Sequence, residues 1–248
     1  MTLEQFFAEN REVAIAFSGG VDSAYLLYAA TRYAARVKAY YVSTAFQPAF
    51  ELEDARRLAD ELGADMLVLH VDVLSNSAVT ANPSDRCYHC KNTLFRQILR
   101  AAENDGFPVL LDGTNASDDA GDRPGMRALR ELSVRSPLRE CGLTKAEIRR
   151  LSRDAGLFTW DKPAYACLAT RIRTGEEITL QKLRQTEKAE GFLFGLGFRD
   201  FRVRMVGNTA KLELREANLP LLLENREKIV TELRKDYDSV LLNLEVRK

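Results

Sequence analysis

Apolar and polar positions follow two different rhythms along the first two-thirds of the chain. Short runs of apolar, β-branched and aromatic residues are typical of buried strands, and between them apolar residues recur three or four apart, as in amphipathic helices. The predicted strands are 13–17, 37–44, 66–71 and 109–111, and the predicted helices are 22–35, 51–62, 91–103 and 144–155. Strands that alternate with helices predict a parallel sheet in a doubly wound α/β fold.

The order of elements changes towards the C-terminal end. A loop-like stretch at 158–175 interrupts the alternation, and the elements predicted beyond it are a helix, two strands, a long helix and a last strand, at 180–194, 201–206, 210–214, 219–235 and 240–246. This order predicts a small α+β domain, which we expect to bind substrate or to mediate oligomerisation. The expected domains are therefore 1–175 and 176–248.

Composition and charge narrow the class of protein. The chain has 46% hydrophobic and 29% charged residues, which is ordinary for a soluble globular protein. Lys and Arg together number 36, as do Asp and Glu, so no global field attracts nucleic acid or an anionic membrane, and we expect neither as a partner. The sequence has no signal-peptide pattern and no bilayer-length apolar run, which predicts a cytoplasmic protein. Disulfides are rare there, so the four cysteines are interpreted as core thiols, metal ligands or reactive thiols.

The turn between the first strand and the first helix has the sequence Ser-Gly-Gly-Val-Asp-Ser. Two glycines allow backbone N–H groups to approach a phosphate closely, and the following helix N-terminus adds N–H groups and its dipole. The serine hydroxyls are further donors, and the aspartate is a candidate ligand for Mg²⁺. The lysine of a Walker A motif is absent. We predict that this loop binds the phosphates of ATP through Ser18, Gly19, Gly20, Val21, Asp22 and Ser23.

Two further polar segments follow predicted strands, where ligands of open α/β sheets bind. The first runs from Asp112 through Gly113, Thr114 and Asn115 and includes Asp118. The second begins at Ser43, at the end of another strand. We predict that both contribute to the nucleotide site. A polar surface turn and a plain strand end remain the alternative interpretations.

Three cysteines lie in informative contexts. Cys87 and Cys90 open a predicted helix three residues apart, and Cys167 lies in the loop-like stretch. Thiolate sets are suited to zinc or to iron–sulfur clusters. A structural zinc needs a fourth ligand, for which His70, His89 or Cys141 are candidates. Unligated thiols are the remaining possibility, and packing is the expected role of Cys141.

Arginines mark a candidate anion site near the C-terminal end. Arg202 and Arg204 are two apart in a predicted strand, so both side chains lie on the same face. Such a pair is suited to bidentate capture of a phosphate, although a solvated charged face would have the same pattern. Arg171 follows Cys167 by four residues and is a candidate ligand for a substrate carboxylate.

The loop at 18–23 is the signature of the PP-loop ATP pyrophosphatases. Together with Asp112–Asn115, Arg135–Leu138 and the segment Trp160–Ile172 around Cys167, it resembles the LarE family nearly end to end. LarE proteins are ATP-dependent sulfur transferases that act on a pyridinium dicarboxylate mononucleotide, a precursor of the nickel-pincer cofactor. The resemblance implies ATP and Mg²⁺ as cofactors, and catalytic roles for Asp22, Cys167 and Arg171. It also implies that Arg202 and Arg204 hold the substrate phosphate.

The same resemblance bears on the sulfur source. In one branch of the family, a single cysteine matching Cys167 gives up its own sulfur and becomes dehydroalanine. The additional Cys87 and Cys90 resemble the other branch, in which three cysteines hold a [4Fe-4S] cluster. The resemblance further suggests a metal at Glu190 and Glu213, although ordinary surface glutamates would account for both, and we expect a homo-oligomer.

Other classes of function remain open on the sequence alone. A tRNA-thiolating enzyme would also combine a PP-loop with three cysteines, but the neutral net charge disfavours it. An ammonia-using ligase of the amidotransferase type needs no reactive thiols. A non-catalytic ATP-binding module is the third alternative.

Overall fold

A computed structural model describes residues 1–118 and 124–247. The chain divides into two units, the first made of Met1–Val73 and Asp85–Lys162 and the second of Leu74–Ser84 and Pro163–Lys248. The division thus falls at Pro163, earlier than the boundary predicted near residue 175. Residues 74–84 also belong to the second unit, where the Ile178 N–H donates to the Thr80 carbonyl and the Asn82 side chain donates to the Arg173 carbonyl.

The first unit is built on a parallel sheet of four strands. Its strands are β1 (Glu12–Phe17), β2 (Arg36–Ser43), β3 (Met66–His70) and β4 (Val109–Leu111), in the order β3-β2-β1-β4. The helices of this unit are α1 (Leu3–Glu9), α2 (Val21–Tyr33), α3 (Ala49–Leu62), α5 (Arg86–Asn104), α6 (Pro124–Glu131), α7 (Pro137–Glu140) and α8 (Lys145–Asp154). The predicted α/β class is confirmed.

Helices cover both faces of this sheet, as the near-continuous apolar strands predict. Side chains alternate along a strand, so Val13 and Ile15 of β1 point to the face that α1, α2 and α8 cover. Ala14, between them, points to the opposite face, where Ile98 and Ala102 of α5 pack. Since all these side chains are buried, water is excluded from both faces of the sheet.

The strand order determines where a ligand can bind. β1 lies in the middle of the sheet, with β2 on one side and β4 on the other. The chain passes from β1 to β2 and β3 on one side and then crosses to β4 on the other, so the strand order reverses between β1 and β4. This is the topological switch point at which open α/β sheets bind their ligands. The turn after β1 carries the predicted phosphate loop, and the segment after β4 lies beside it.

The second unit combines helices with a three-stranded sheet. Its helices are α4 (Ser77–Thr80), α9 (Leu180–Gly195), α10 (Leu219–Glu224) and α11 (Arg226–Leu233), and its strands are β5 (Arg202–Val206), β6 (Thr209–Glu213) and β7 (Ser239–Leu242). β5 and β6 form an antiparallel hairpin, and β7 joins β6 in parallel. α9 packs on β5, which places the polar residues of both elements side by side.

Three predicted elements differ most from the structure. α5 begins at Arg86 rather than Lys91, so both cysteines of its start are helical. The long helix predicted at 219–235 is two helices that meet at Asn225, whose side chain and backbone N–H both donate to the Leu221 carbonyl. The last strand ends at Leu242, not 246. Within the described ranges, no helix is long and apolar enough to cross a membrane.

Candidate active site

The phosphate loop is held in shape by glycine conformation and by its two serines. Gly19 has φ +71°, a left-handed conformation that residues with a side chain rarely adopt, and a Cβ there would lie 3.2 Å from the Cβ of Ala55. The hydroxyls of Ser18 and Ser23 are 3.0 Å apart, and the Ser23 hydroxyl donates to the Gly20 carbonyl at 3.1 Å. Gly20 is the N-cap of α2, so the first N–H groups of this helix point out of the loop.

Asp22 occupies the first turn of α2 and has one oxygen left over for a ligand. Its Oδ2 lies 2.6 Å from Nζ of Lys145, while its Oδ1 is buried without a hydrogen-bond partner among the described residues. Burial raises the pKa of this carboxyl above its ordinary value, and the hydrogen bond from Lys145 opposes the shift. A buried carboxylate oxygen without a partner fits the hard oxygen ligands that Mg²⁺ prefers, so the loop fits ATP with Mg²⁺.

The segment after β4 packs directly on this loop, as the sequence predicted. A Cβ on Gly113 would lie 2.9 Å from the backbone nitrogen of Ser23, so only glycine allows this approach. Asp112 accepts hydrogen bonds from the hydroxyls of Thr114 and Ser136, and Asn115 N donates to Asp118 at 2.9 Å. These buried polar groups therefore shape the wall of the candidate nucleotide site. The Asp112 side chain already accepts hydrogen bonds from Thr114 and Ser136 within this wall.

Ser43 lies at the carboxyl end of β2, in the same sheet. Its register partner is His70 at the end of β3, and its carbonyl accepts from Val71 N at 3.0 Å. The adjoining Thr44 hydroxyl donates to Gln47 and so starts the turn into α3. Ser43 is thus at the sheet edge where the sequence placed it, and its contact with adenosine stays a prediction.

The cysteines fall in both units. Cys87 is exposed in the first turn of α5, and Cys90 is half-buried one helical turn further on. Cys167 is half-buried in the second unit, at the start of a short 3₁₀ turn. Cys141 packs against the core beside α7, and burial raises the pKa of its thiol. No three His, Cys, Asp or Glu side chains of residues 1–118 and 124–247 are arranged to hold a metal.

These observations test the donor set for a cluster. The pair on α5 has the spacing and thiol chemistry of two cluster ligands. The third ligand predicted from the sequence, Cys167, belongs to the other unit. The [4Fe-4S] cluster therefore stays a prediction.

Arg171, predicted as a ligand for a substrate carboxylate, is already paired inside the protein, and its contact with substrate stays a prediction. Its side chain is fully buried and donates twice to Glu190, from Nε at 2.7 Å and from Nη2 at 3.0 Å. Its Nη1 donates to the Ala166 carbonyl at 3.0 Å, next to Cys167. The guanidinium therefore already bonds to Glu190 and to the backbone next to Cys167. A substrate carboxylate would have to displace Glu190.

Glu190, expected as a weak metal ligand, is also fully engaged. Besides Arg171, it accepts from the Val203 N–H at 2.9 Å and from the Tyr165 hydroxyl. It is 1% exposed, so both oxygens already have their partners inside the protein. Glu213 pairs with Arg204 at 2.7 Å and with Lys211 at 3.8 Å. In this arrangement both glutamates balance cations rather than offering oxygens to a metal.

Arg202 and Arg204 lie on the same face of β5, as predicted, but Arg202 is buried whereas the Arg204 side chain is 40% exposed. Arg202 donates to the Ala164 carbonyl at 2.7 Å, and Arg204 donates to the Thr170 carbonyl at 2.6 Å. The two arginines thereby bond to both ends of the segment that contains Cys167. Within this segment, the Thr170 N–H donates to the Cys167 carbonyl at 2.9 Å. We refer to residues 164–170 as the Cys167 loop.

The two arginines differ in charge balance. Arg204 has Glu213 as its partner, whereas Arg202 forms no ion pair among the described residues, although it is 6% exposed. Burial lowers the pKa of Arg202, the positive charges of Arg171 and Arg247 lower it further, and the carboxylates of Glu190 and Asp200 oppose this shift. A buried cation without an ion-pair partner of its own favours an anion in its vicinity.

Comparison with known proteins agrees with this site. The family described as asparagine synthase matches residues 4–118, the part that contains the phosphate loop. Pyridinium-3,5-bisthiocarboxylic acid mononucleotide synthase of Lactiplantibacillus plantarum is 32% identical over 235 residues, which are 94% of this chain and 85% of that protein. The chain belongs to this synthase's family, the LarE family.

Two further relatives of this LarE-family chain have no described function. Uncharacterized protein slr1717 of Synechocystis is 40% identical over 215 residues, which are 86% of this chain and 80% of the relative. Uncharacterized protein MJ0830 of Methanocaldococcus jannaschii is 29% identical over 240 residues, 96% of this chain and 91% of the relative. Family membership and the phosphate loop identify the chain as an ATP-using enzyme with a sulfur-transferase-like role.

Two residues of this LarE-family chain that contact predicted site residues, one in each unit, were not predicted from the sequence. Lys145 contacts Asp22 from the start of α8, and Tyr165 stacks against both Arg171 and Arg202, with its ring centroid 4.8 Å and 5.4 Å from their guanidinium carbons. Lys145 did carry a signal, because a cation in the first turn of a helix opposes the helix dipole and needs another reason to be there. Tyr165 carried none beyond its proximity to Cys167.

Proposed function

We propose that this enzyme uses ATP to convert a carboxylate of pyridinium-3,5-biscarboxylic acid mononucleotide into a thiocarboxylate, as a step towards a nickel-pincer cofactor. The main observation in support is the phosphate loop, in which one oxygen of Asp22 is buried without a hydrogen-bond partner among the described residues. The activity for which the Lactiplantibacillus relative is named supports the choice of substrate. The buried cation Arg202, beside the Cys167 loop, supports a substrate that carries a phosphate.

The first step is adenylation. A carboxylate oxygen of the substrate attacks the α-phosphorus of ATP, the bond from that phosphorus to the bridging oxygen breaks, and pyrophosphate leaves. The N–H groups at the start of α2 and the hydroxyls of Ser18 and Ser23 bind the departing phosphates. Magnesium held through Asp22 would neutralise their charge.

The second step is sulfur transfer. A sulfur nucleophile adds to the activated carboxyl carbon, and AMP leaves with the bonding electron pair. If Cys167 is the donor, its thiolate forms a thioester. Loss of the Cys167 α-proton and cleavage of its Cβ–S bond then release the thiocarboxylate and leave dehydroalanine. A [4Fe-4S] cluster held by Cys87, Cys90 and Cys167 would instead supply an exchangeable sulfide, and we favour this source because of the cysteine pair on α5.

Gly20 provides the test. A Cβ there would contact only the Ser18 hydroxyl, at 3.5 Å, so Gly20→Val should fold while its side chain fills the phosphate site. We expect pyrophosphate release with the mononucleotide to fall about a hundredfold or more, since phosphate position sets the geometry of attack. Gly191→Ala, on an open face of α9, should release pyrophosphate at the wild-type rate.

The product must also be identified. Mass spectrometry of the wild-type reaction should show oxygen replaced by sulfur in the mononucleotide. A rate of pyrophosphate release that is the same with and without the mononucleotide would refute the proposed function. A product that contains no added sulfur would refute it as well. Wild-type release by Gly20→Val would refute the assignment of the phosphate loop.

A further inference from the structure

Lys145 lies at the phosphate loop, far along the chain from it. It is the first residue of α8, and its Nζ is 2.6 Å from Oδ2 of Asp22. About a third of its side chain is exposed, 34%, against 22% for Asp22, so the ion pair borders the solvent-accessible site rather than the core. The ammonium is therefore within reach of a ligand that enters the loop.

The position of Lys145 is fixed by the same segment that walls the site. Ala116 N donates to the Leu143 carbonyl at 2.8 Å, and Lys145 N donates to the Ser117 hydroxyl at 3.0 Å. These bonds tie the start of α8 to the residues after β4, which in turn pack on Ser23 through Gly113. The lysine is thus attached to the phosphate loop through a short chain of hydrogen bonds and packed backbone.

Lys145 does not serve the stability of its own helix. A cation in the first turn opposes the helix dipole, and the helix start is already capped by Thr144 and Glu147, whose side chains and backbones bond reciprocally. An anion in front of α8 removes this conflict. Asp22 fulfils that role here, although its other oxygen is buried without a partner.

A bound triphosphate changes this balance. It brings several negative charges to the N-termini of α2 and α8, and the ammonium of Lys145 gains more from a phosphate oxygen than from one carboxylate. Release of Lys145 leaves both oxygens of Asp22 free to bind magnesium. The Lys145 ammonium therefore has two alternative partners: Asp22 when no nucleotide is bound, and a phosphate oxygen when the nucleotide is bound.

We propose that Lys145 is a phosphate-binding residue of the nucleotide site, which exchanges Asp22 for the β- and γ-phosphates when ATP binds. The inference rests on the ATP-binding part of the proposed function and is independent of sulfur transfer. In the reaction the ammonium stabilises the negative charge that develops on departing pyrophosphate. AMP lacks these phosphates and does not depend on Lys145.

Equilibrium binding to the full-length protein tests this inference. Isothermal calorimetry at one fixed pH measures the Kd of ATP, of pyrophosphate and of AMP, for wild type, Lys145→Ala, Lys145→Arg and Arg150→Ala. Arg150 is a matched control because it is a surface cation of the same helix, paired with Asp154. We expect Lys145→Ala to weaken ATP and pyrophosphate about tenfold or more, as loss of a charge-assisted bond does, while AMP is unchanged. Lys145→Arg should restore most of the affinity, and Arg150→Ala should resemble wild type.

A second variant separates exchange from a fixed ion pair. Asp22→Asn removes the competing carboxylate charge, so without magnesium it should bind pyrophosphate more tightly than wild type does. Weaker binding by Asp22→Asn, or equal losses of ATP and AMP in Lys145→Ala, would show a structural ion pair and overturn the proposal. Wild-type affinities in Lys145→Ala would overturn it alone. Failure of the wild-type protein to bind ATP would overturn the proposed function together with it.

Discussion

Arg202 is a buried cation that has no ion pair among the described residues. Its guanidinium donates to the backbone carbonyls of Phe201 and Ala164, and the positive charges of Arg171 and Arg247 oppose its own charge more strongly than the carboxylates of Glu190 and Asp200 support it. Arg204, two residues on, already shares its charge with Glu213. An anion that enters this region therefore gains more from Arg202 than from Arg204.

This difference makes a prediction for the substrate. Arg202→Gln should raise the KM for the phosphorylated mononucleotide about tenfold or more, because a charge-assisted bond is lost. The KM for ATP should not change. Arg204→Gln is the control on the same strand face and should have the smaller effect. Equal effects of the two variants on both substrates, in proteins with matching melting curves, would contradict a phosphate site at Arg202.

Glu190 makes a prediction about stability. Glu190→Gln leaves the Arg171 guanidinium buried without a countercharge, and breaking a buried pair typically costs about 3–5 kcal/mol. The same substitution at Glu213 removes a pair whose arginine side chain is 40% exposed, so we expect a loss of at most about 1 kcal/mol. Urea unfolding monitored by circular dichroism measures both. A loss at Glu190 no larger than that at Glu213 would mean that the buried pair does not stabilise the fold.

At the scale of elements, α9 is destabilised by a glycine in its interior. Gly191 lies inside this helix on an exposed face, and a Cβ there would meet nothing within 4 Å. Gly191→Ala should therefore stabilise the protein by roughly 0.5–1 kcal/mol, because alanine loses less backbone entropy in a helix. Thermal unfolding measures the gain.

Gly113→Ala is the opposite case and should destabilise the protein, since its Cβ would lie 2.9 Å from the Ser23 backbone nitrogen.

At the scale of the whole molecule, the source of sulfur is the open mechanistic question. We predict that protein purified without oxygen contains iron and acid-labile sulfide with a broad visible absorption, and that Cys87→Ser and Cys90→Ser each abolish both. Cys141→Ser is the control, because that thiol packs in the core of the first unit. Iron-free protein whose Cys167 becomes dehydroalanine after one turnover would show that Cys167 is the sulfur donor.

The α/β class, most elements and the phosphate loop could be predicted because their causes are local. The rhythm of apolar residues predicts which segments are strands or helices, and the six residues Ser18–Ser23 between a strand and a helix predict a phosphate site. The Thr144–Glu147 capping box was likewise visible and is present. The ends of elements were harder to predict: the apolar rhythm at 219–235 continues through Asn225, where the structure divides it into two helices.

The roles of the charged side chains were decided only by the tertiary structure. The sequence places Arg171 four residues after Cys167, but α9 brings Glu190 to it and turns a candidate substrate ligand into a buried ion pair. In the same way the packing of α8 brings Lys145 to Asp22 across more than half the first unit's sequence. The physical reason is that a charge interacts with whatever lies within a few ångströms of it. Sequence spacing determines those neighbours only within one helix or one strand.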